Sequence, residues 1–159
     1  MSSVNNIPSL SSVRLADFQV SSPSSTAVRA QAWGIALVRI VVGIVFLAHG
    51  SQKLFGFGFQ GVAGFFAHAG IPMPAISAVV VTLVEFLGGL ALVLGVGTRV
   101  AALLLAANML GAIVFVHAKG GFFLPTGFEY ALTMLAANVG LFLAGPGALA
   151  VDNVFSRPK

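Results

Sequence analysis

The sequence contains no cysteine among its 159 residues. This absence excludes disulfides, cysteine nucleophiles, thiolate-bound zinc, iron–sulfur clusters and a C-x-x-C redox pair. Charge is also scarce: 8% of the residues are Asp, Glu, Lys or Arg, against about a quarter in a soluble domain. An ordinary soluble enzyme is therefore excluded, and any electron chemistry would need a borrowed cofactor.

A concentrated positive surface is missing as well. The net charge is +4, but the basic residues are scattered along the chain rather than gathered into the stripe that nucleic-acid binding requires. What is present is apolar sequence, with 58% hydrophobic residues, 19 glycines and a mean hydropathy of +1.02. We therefore expect the lipid bilayer, and no nucleic acid, as the chain's environment.

The apolar residues predict an all-α, integral membrane four-helix bundle. We place the spans at about residues 32–53, 74–96, 98–118 and 127–144, since about 20 residues cross the hydrocarbon core. Residues 1–31 are rich in Ser and Asn and predict a disordered polar tail, 32–147 form the membrane domain, and 148–159 form a short cytoplasmic tail. Pro74 opens the second span, and glycines follow the span ends.

A short interfacial helix or loop is expected between the first two spans. Val62, Phe65, Phe66 and Ala69 recur there at helical spacing before Gly70 and Pro72 end the turn. Two interpretations are open, an anchor in the outer interface and a lid over an opening between helices.

The basic residues predict a multi-pass protein with both termini in the cytoplasm. Positively charged residues favour the cytoplasmic ends of spans. On this topology four of them flank cytoplasmic ends, namely Arg29, Arg99, Arg157 and Lys159. Only two, Lys53 and Lys119, flank the outer side.

Two charges fall inside predicted spans, where each costs about 2.5 to 3.5 kcal/mol near the bilayer centre. Arg39 lies in the first span and Glu85 near the middle of the second, so the sequence favours a pair between them. That pair either fixes helix packing or forms a proton-accessible or anion-binding site.

Further polar residues form two groups of candidates. Asn108 and Asn138 lie within the last two spans, where amides bridge helices. The second group lies at the outer ends, where it either reaches interfacial water or lines a mouth for a quinone head group or small substrate: His49, Lys53, His117, Lys119 and Glu129. The three histidines lack the spacing of metal ligands, and we expect no metal site.

The order of these features resembles the DoxX family of small bacterial membrane proteins over roughly residues 33–153. The resemblance is carried by LVRIVVGIVFLAHGSQKLFG, by VEFLGGLALVLGVGTRVAALLLAANML and by FEYALTMLAANVGLFLAGPGALAVD. Arg39, Lys53, Glu85, Arg99 and Asp152 match the recurring family pattern. The resemblance implies a four-helix protein of the bacterial inner membrane.

The resemblance to the DoxX family implies the function less specifically than it implies the fold. Family members serve as a small subunit of a quinone-linked thiosulfate oxidoreductase or as a membrane partner of soluble redox-defence enzymes. We therefore expect a non-catalytic membrane subunit that docks a soluble redox enzyme and offers a quinone site, with no covalently bound cofactor. A small proton-coupled transporter or exporter and a purely structural assembly factor are the alternatives, and the many small residues are compatible with a homodimer.

Overall fold

Six α-helices account for most of residues 23–155, the part of the chain that this computed structural model describes. They are α1 (Ser25–Ser51), α2 (Gly58–Ala69), α3 (Pro74–Leu94), α4 (Thr98–Ala112), α5 (Glu129–Ala144) and α6 (Asp152–Phe155). A π-helical segment, Gln52–Phe57, joins α1 to α2, and a second, Ile113–His117, extends α4 and is followed by a 3₁₀ turn at Ala118–Gly120. No strand occurs in the described residues.

Three helical runs are long and apolar enough to cross a membrane: Ser25–Ala69, Pro74–Leu94 and Thr98–Gly120. Helix α5 is apolar but shorter. The all-helical prediction with several membrane-spanning segments is therefore confirmed at this coarser level.

The first helix begins before the predicted span does. Ser24 caps it, because its side-chain oxygen accepts a hydrogen bond from the backbone N–H of Ala27 at 3.2 Å. Residues 25–31, which we assigned to the polar tail, are consequently helical. Residues 1–22 of that tail and residues 156–159 at the C-terminus lie outside the described part of the chain.

The boundaries of α3 follow local sequence signals. Pro74 occupies the first turn, where its missing N–H is not needed. Gly95 ends the helix at φ +69° and donates to the carbonyl of Leu92, and Gly97 at φ +55° precedes α4. Helices α3 and α4 thus begin at the residues where the sequence placed the starts of the second and third spans.

Helices α1 and α3 approach closely because glycines face each other across their contact. A Cβ on Gly43 would lie 2.8 Å from the backbone nitrogen of Val93, and one on Gly89 would meet the backbone of Leu47. The core beside this contact is built from Val42, Phe46, Leu92, Leu105 and Leu141 with their neighbours.

Helix α2 packs on the first half of α3. Val62 and Phe66 are buried against Ala78, and Gly70 ends α2 in the left-handed region at φ +77°. The predicted helical spacing and the stop at Gly70 therefore agree with the structure, whereas the position of α2 in the interface stays a prediction.

The segment after α5 packs back against α1 and against the end of α3. The backbone N–H of Ala148 donates to Ala32 at 2.9 Å, and that of Asp152 donates to Gly95 at 2.9 Å. Part of the predicted cytoplasmic tail is thus joined to α1 and α3 by backbone hydrogen bonds.

Candidate functional site

Glu85 lies in the middle of α3 with its side chain buried. Its Oε2 forms an ion pair with Lys53 Nζ. Its Oε1 accepts a hydrogen bond of 2.9 Å from Asn108 Nδ2 on α4. Both carboxylate oxygens are therefore satisfied inside the bundle, as a buried charge requires. We call Lys53, Glu85 and Asn108 the Glu85 cluster.

Lys53 belongs to the π-helical segment that follows α1. Immediately before it, the backbone around Gly50 lies against that of Phe86, so tightly that a Cβ would not fit. This close approach brings the segment to the middle of α3 rather than to its outer end. Lys53 was predicted to lie at an outer mouth; the structure pairs its ammonium group with the buried Glu85, and its position relative to the membrane stays a prediction. π-Helical turns are rare and frequently occur at functional sites.

A small cavity adjoins the Glu85 cluster. It has a volume of about 40 Å³ and is lined by Val45, Phe46, His49, Glu85, Met109, Tyr130 and Met134. A buried water needs about 10–15 Å³ and two to four polar partners. The cavity is thus large enough for water beside a buried carboxylate.

The tautomer of His49 follows from its hydrogen bond. Nδ1 lies 2.9 Å from the carbonyl oxygen of Val45, and because a carbonyl oxygen only accepts, Nδ1 carries the proton. In the neutral ring, Nε2 is then left as an acceptor. The His49 ring also contacts the Tyr130 ring, with centroids 6.5 Å apart.

Tyr130 was missed as a site residue by the sequence reasoning. It is the one tyrosine of the chain, and it sits in the first turn of α5. The sequence did contain a signal for it: Tyr130 is a single phenol in a very apolar chain, and it directly follows the candidate residue Glu129.

Arg39 does not pair with Glu85, contrary to the expectation from sequence. Its guanidinium is fully buried and donates to the carbonyl oxygens of Leu92 at 3.1 Å, Ala148 at 3.1 Å and Leu149 at 3.0 Å. The last carbonyls of a helix have no partner within it, and α1 brings Arg39 to this end of α3. Arg39 therefore fastens the C-terminal segment to α3, away from the Glu85 cluster.

Asp152 completes this fastening. Its carboxylate accepts hydrogen bonds from the backbone N–H groups of Gly97 at 2.7 Å and Thr98 at 2.9 Å, where the first turn of α4 leaves donors unpaired. Burial raises the pKa of Asp152, but the donors of Thr98 and Gly97 together with the charge of Arg39 outweigh this and hold the pKa below 3.8.

The remaining candidates do not join the Glu85 cluster. Asn138 is buried and donates from Nδ2 to Met134 in its own helix at 2.8 Å. His117 Nδ1 lies 3.4 Å from the carbonyl oxygen of Thr126, and Glu129 accepts from the backbone N–H of Leu124 at 2.9 Å. His117 and Glu129 thus contact the loop at 121–128, and Lys119 is exposed beside it.

Within residues 23–155, no group of three or more His, Cys, Asp or Glu side chains is arranged to hold a metal ion. Glu85, His49 and Tyr130 bring hydrogen-bonding side chains to one cavity.

Comparison with known proteins places this site in a family context. The DoxX family model matches residues 34–118, which include Lys53, Glu85 and Asn108. "Putative oxidoreductase CatD" of Bacillus subtilis is 34% identical over 126 residues, covering 79% of this chain and 90% of the relative.

Two further relatives are described as membrane proteins. An uncharacterized membrane protein of Mycobacterium tuberculosis is 35% identical, covering 77% of this chain and 82% of the relative. Inner membrane protein YphA of Escherichia coli is 31% identical, covering 74% of this chain and 87% of the relative. No solved structure matches the chain significantly.

Proposed function

The chain belongs to the DoxX family of membrane proteins, and on that premise we propose that it is a non-catalytic membrane subunit of a redox complex. In this proposal the site around Glu85 binds the head group of a quinone, and a soluble oxidoreductase docked on the membrane carries out the chemistry. The name of the Bacillus subtilis relative supports a link to oxidoreductases.

The proposal includes a membrane topology. Helix α5 is the fourth span, α2 lies in the outer interface, and both termini are cytoplasmic in a bacterial inner membrane. The pairing of Lys53 with Glu85 supports this orientation, because it removes a cation from the outer flank and leaves Lys119 there. The excess of positive charge then lies more strongly on the side of Arg29 and Arg99.

The observation that carries the quinone proposal is a buried, fully satisfied carboxylate that faces a cavity. Ionisable residues within membrane segments are costly and commonly mark ligand or proton pathways. Glu85 is only 4% exposed, yet it lines the cavity together with His49 and Tyr130.

The polar atoms fit a quinone, and the reduced form best. Glu85 and the Nε2 atom of His49 accept hydrogen bonds, whereas the Tyr130 hydroxyl both donates and accepts. A quinol ring carries two O–H donors, which match the two acceptors. The apolar side chains of Phe46, Met109 and Met134 supply the flat contacts that a ring requires.

The volume sets a condition on binding. The cavity of about 40 Å³ is far below the roughly 300–1,000 Å³ of small-molecule pockets. A ring therefore enters only when side chains at the mouth move. His49 and Tyr130 are exposed, so their rotation toward lipid opens the cavity without disturbing the Glu85 cluster.

The proposal is tested by gentle purification from native membranes into nanodiscs, with mass spectrometry of the accompanying proteins and quinones. We expect a soluble oxidoreductase and a quinol with the wild type when purification is kept under reducing conditions, and about tenfold less quinol with Glu85→Gln, the loss expected for one charge-assisted hydrogen bond from a quinol O–H. Glu129→Gln is the matched control, since Glu129 contacts the backbone of Leu124 instead. A wild-type protein that purifies folded and without quinol contradicts the proposal.

Proton-coupled transport is a second candidate, favoured by the water-sized cavity beside Glu85. In that case Glu85 would exchange a proton with cavity water while solute crosses the membrane. Proteoliposomes with an imposed pH gradient distinguish the two: solute uptake that is lost in Glu85→Gln favours transport, and a quinone-loaded protein with no flux favours the subunit.

A further inference from the structure

A second recess lies between α1 and α5. It is an open groove of about 410 Å³ whose lining includes Gly34, Val38, Ala137, Gly140 and Ala144. Gln31, at one end, is the one polar side chain among its lining residues. Unlike the cavity at Glu85, this groove has the volume of a small-molecule site.

The glycines of the groove leave it open rather than tighten it. A Cβ placed on Gly34 or on Gly140 would meet no heavy atom within 4 Å, whereas one on Gly43 would lie 2.8 Å from Val93 N. Small residues in membrane helices usually allow close helix contact. In the described part of this chain no other helix lies close to Gly34 or Gly140. The space beside these two glycines is therefore available to an apolar ligand.

The groove and the cavity follow one another along the same two helices. Val45 and His49 of α1 and Tyr130 and Met134 of α5 line the cavity, and residues 31–38 and 137–144 of the same helices line the groove. On α5 less than one turn separates Met134 from Ala137, and on α1 about two turns separate Val38 from Val45, with the buried Val42 between them. A ligand with a polar head in the cavity would therefore extend its apolar part along the groove.

We propose that the groove holds the isoprenoid tail of a quinone whose head group lies beside Glu85, which rests on the proposed function and adds the tail as a determinant of specificity. The charge of the cavity argues against a phospholipid in this position. Glu85 is the one charged residue among those that line it, and Lys53 already compensates that charge. Among the described residues no further cation lines the cavity to compensate a buried phosphate, whereas a neutral ring needs none.

The test measures the affinity of two benzoquinols, kept reduced during the measurement, for the full chain in nanodiscs. One carries a prenyl tail of several isoprene units, and the other has a methyl group in place of the tail. We expect the wild type to prefer the tailed compound, and Gly34→Leu and Gly140→Leu to reduce that preference by about tenfold, the equivalent of two methylene groups displaced from the groove. Affinity for the methyl compound stays unchanged in these variants.

Gly111→Leu is the matched control. A Cβ at Gly111 also meets nothing within 4 Å, but Gly111 lies on α4, away from the groove. Leucine favours helix more than glycine does, so all three variants should fold, which circular dichroism and thermal unfolding verify. We expect the Gly111→Leu protein to retain the wild-type tail preference.

Three outcomes would overturn the assignment. The first is a tail preference that Gly34→Leu and Gly140→Leu leave intact. The second is a loss of self-association in these variants with unchanged quinone binding, which would assign the groove to a second copy of the chain. The third is displacement of co-purified phospholipid alone, which would assign it to a lipid. Failure of the wild type to bind either quinol contradicts the proposed function itself.

Discussion

Glu85 is a buried carboxylate whose compensating charge and hydrogen bonds are supplied by two partners. Removing a carboxylate from water costs several kcal/mol unless charge and hydrogen bonds compensate. Lys53 supplies the charge and Asn108 supplies a hydrogen bond of 2.9 Å. The cluster is therefore expected to respond to substitution as one unit rather than as three separate residues.

Lys53→Met tests this coupling. It leaves the Glu85 carboxylate buried without its cation. Breaking a fully buried ion pair costs about 3–5 kcal/mol, and because the Lys53 side chain is 21% exposed, we expect the free energy of unfolding to fall by about 2–3 kcal/mol. The double variant Lys53→Met/Glu85→Gln removes the uncompensated charge and should be more stable than Lys53→Met alone. Reversible unfolding in mixed micelles measures both, and strictly additive losses would contradict the pairing.

The sequence identified Arg39, Glu85 and Lys53 as important, but it paired Arg39 with Glu85 and predicted no ionic partner for Lys53. Depth was inferred from position along each span, which assumes straight helices side by side. The glycine contact and the π-helical turn after α1 instead bring Lys53 to Glu85, while Arg39 meets the end of α3. A one-dimensional pattern contains neither feature, so the partners of buried charges could not be predicted from it.

At the scale of elements, the contact between α1 and α3 depends on glycine at positions where two backbones nearly touch. Gly43→Ala should lower the free energy of unfolding by about 1–3 kcal/mol, the usual cost of overpacking, because the new methyl group would lie 2.8 Å from Val93 N and 2.9 Å from Gly89 O. Gly64→Ala, in open space on α2, should be neutral or stabilising. Equal effects of the two substitutions on the unfolding midpoint would argue against this contact.

The start of α4 gives a pH-dependent prediction. The pKa of Asp152 is lowered in the folded state, so its contribution to stability is complete above its ordinary pKa and is lost as the pH falls through the lowered value. Asp152→Asn should therefore lower the free energy of unfolding at neutral pH by about 1 kcal/mol for a lost helix cap. The difference from the wild type should shrink below about pH 4 and vanish only once the pH is below the lowered pKa of Asp152.

Asn153→Ala is the control for that titration. Asn153 donates to the carbonyl oxygen of Gly147 at 2.7 Å and carries no titrating group, so its loss should lower the midpoint by a similar amount at every pH. A difference between wild type and Asp152→Asn that persists into acid would refute the role assigned to the carboxylate.

Helix boundaries were the most predictable part of the fold. Pro74, Gly95 and Gly97 act through the local backbone, and the helices begin and end at or near them. The π-helical segments at 52–57 and 113–117 were not predicted. Neither segment contains a proline, and the sequence carries no other local signal that separates a π-helical turn from an α-helical one.

At the scale of the whole molecule, the topology can be tested with single cysteines, because the chain has none of its own. We expect Lys119→Cys to react with a membrane-impermeant maleimide in intact cells, and Asn153→Cys to react only after lysis, since both side chains are exposed and lie on opposite sides in the proposed orientation. Labelling of Asn153→Cys in intact cells would reverse that orientation.

The measurement that bears most directly on the central claim is photo-crosslinking with a tailed azidoquinone in nanodiscs, followed by peptide mass spectrometry. We predict labelled peptides from α1 around Val45 and His49 and from α5 around Tyr130 and Met134, which line the cavity, with labelling reduced by Glu85→Gln and by excess unlabelled quinone. Labelling confined to residues outside the cavity lining would contradict a quinone site beside Glu85. Labelling of the lining residues that excess unlabelled quinone does not reduce would contradict it as well.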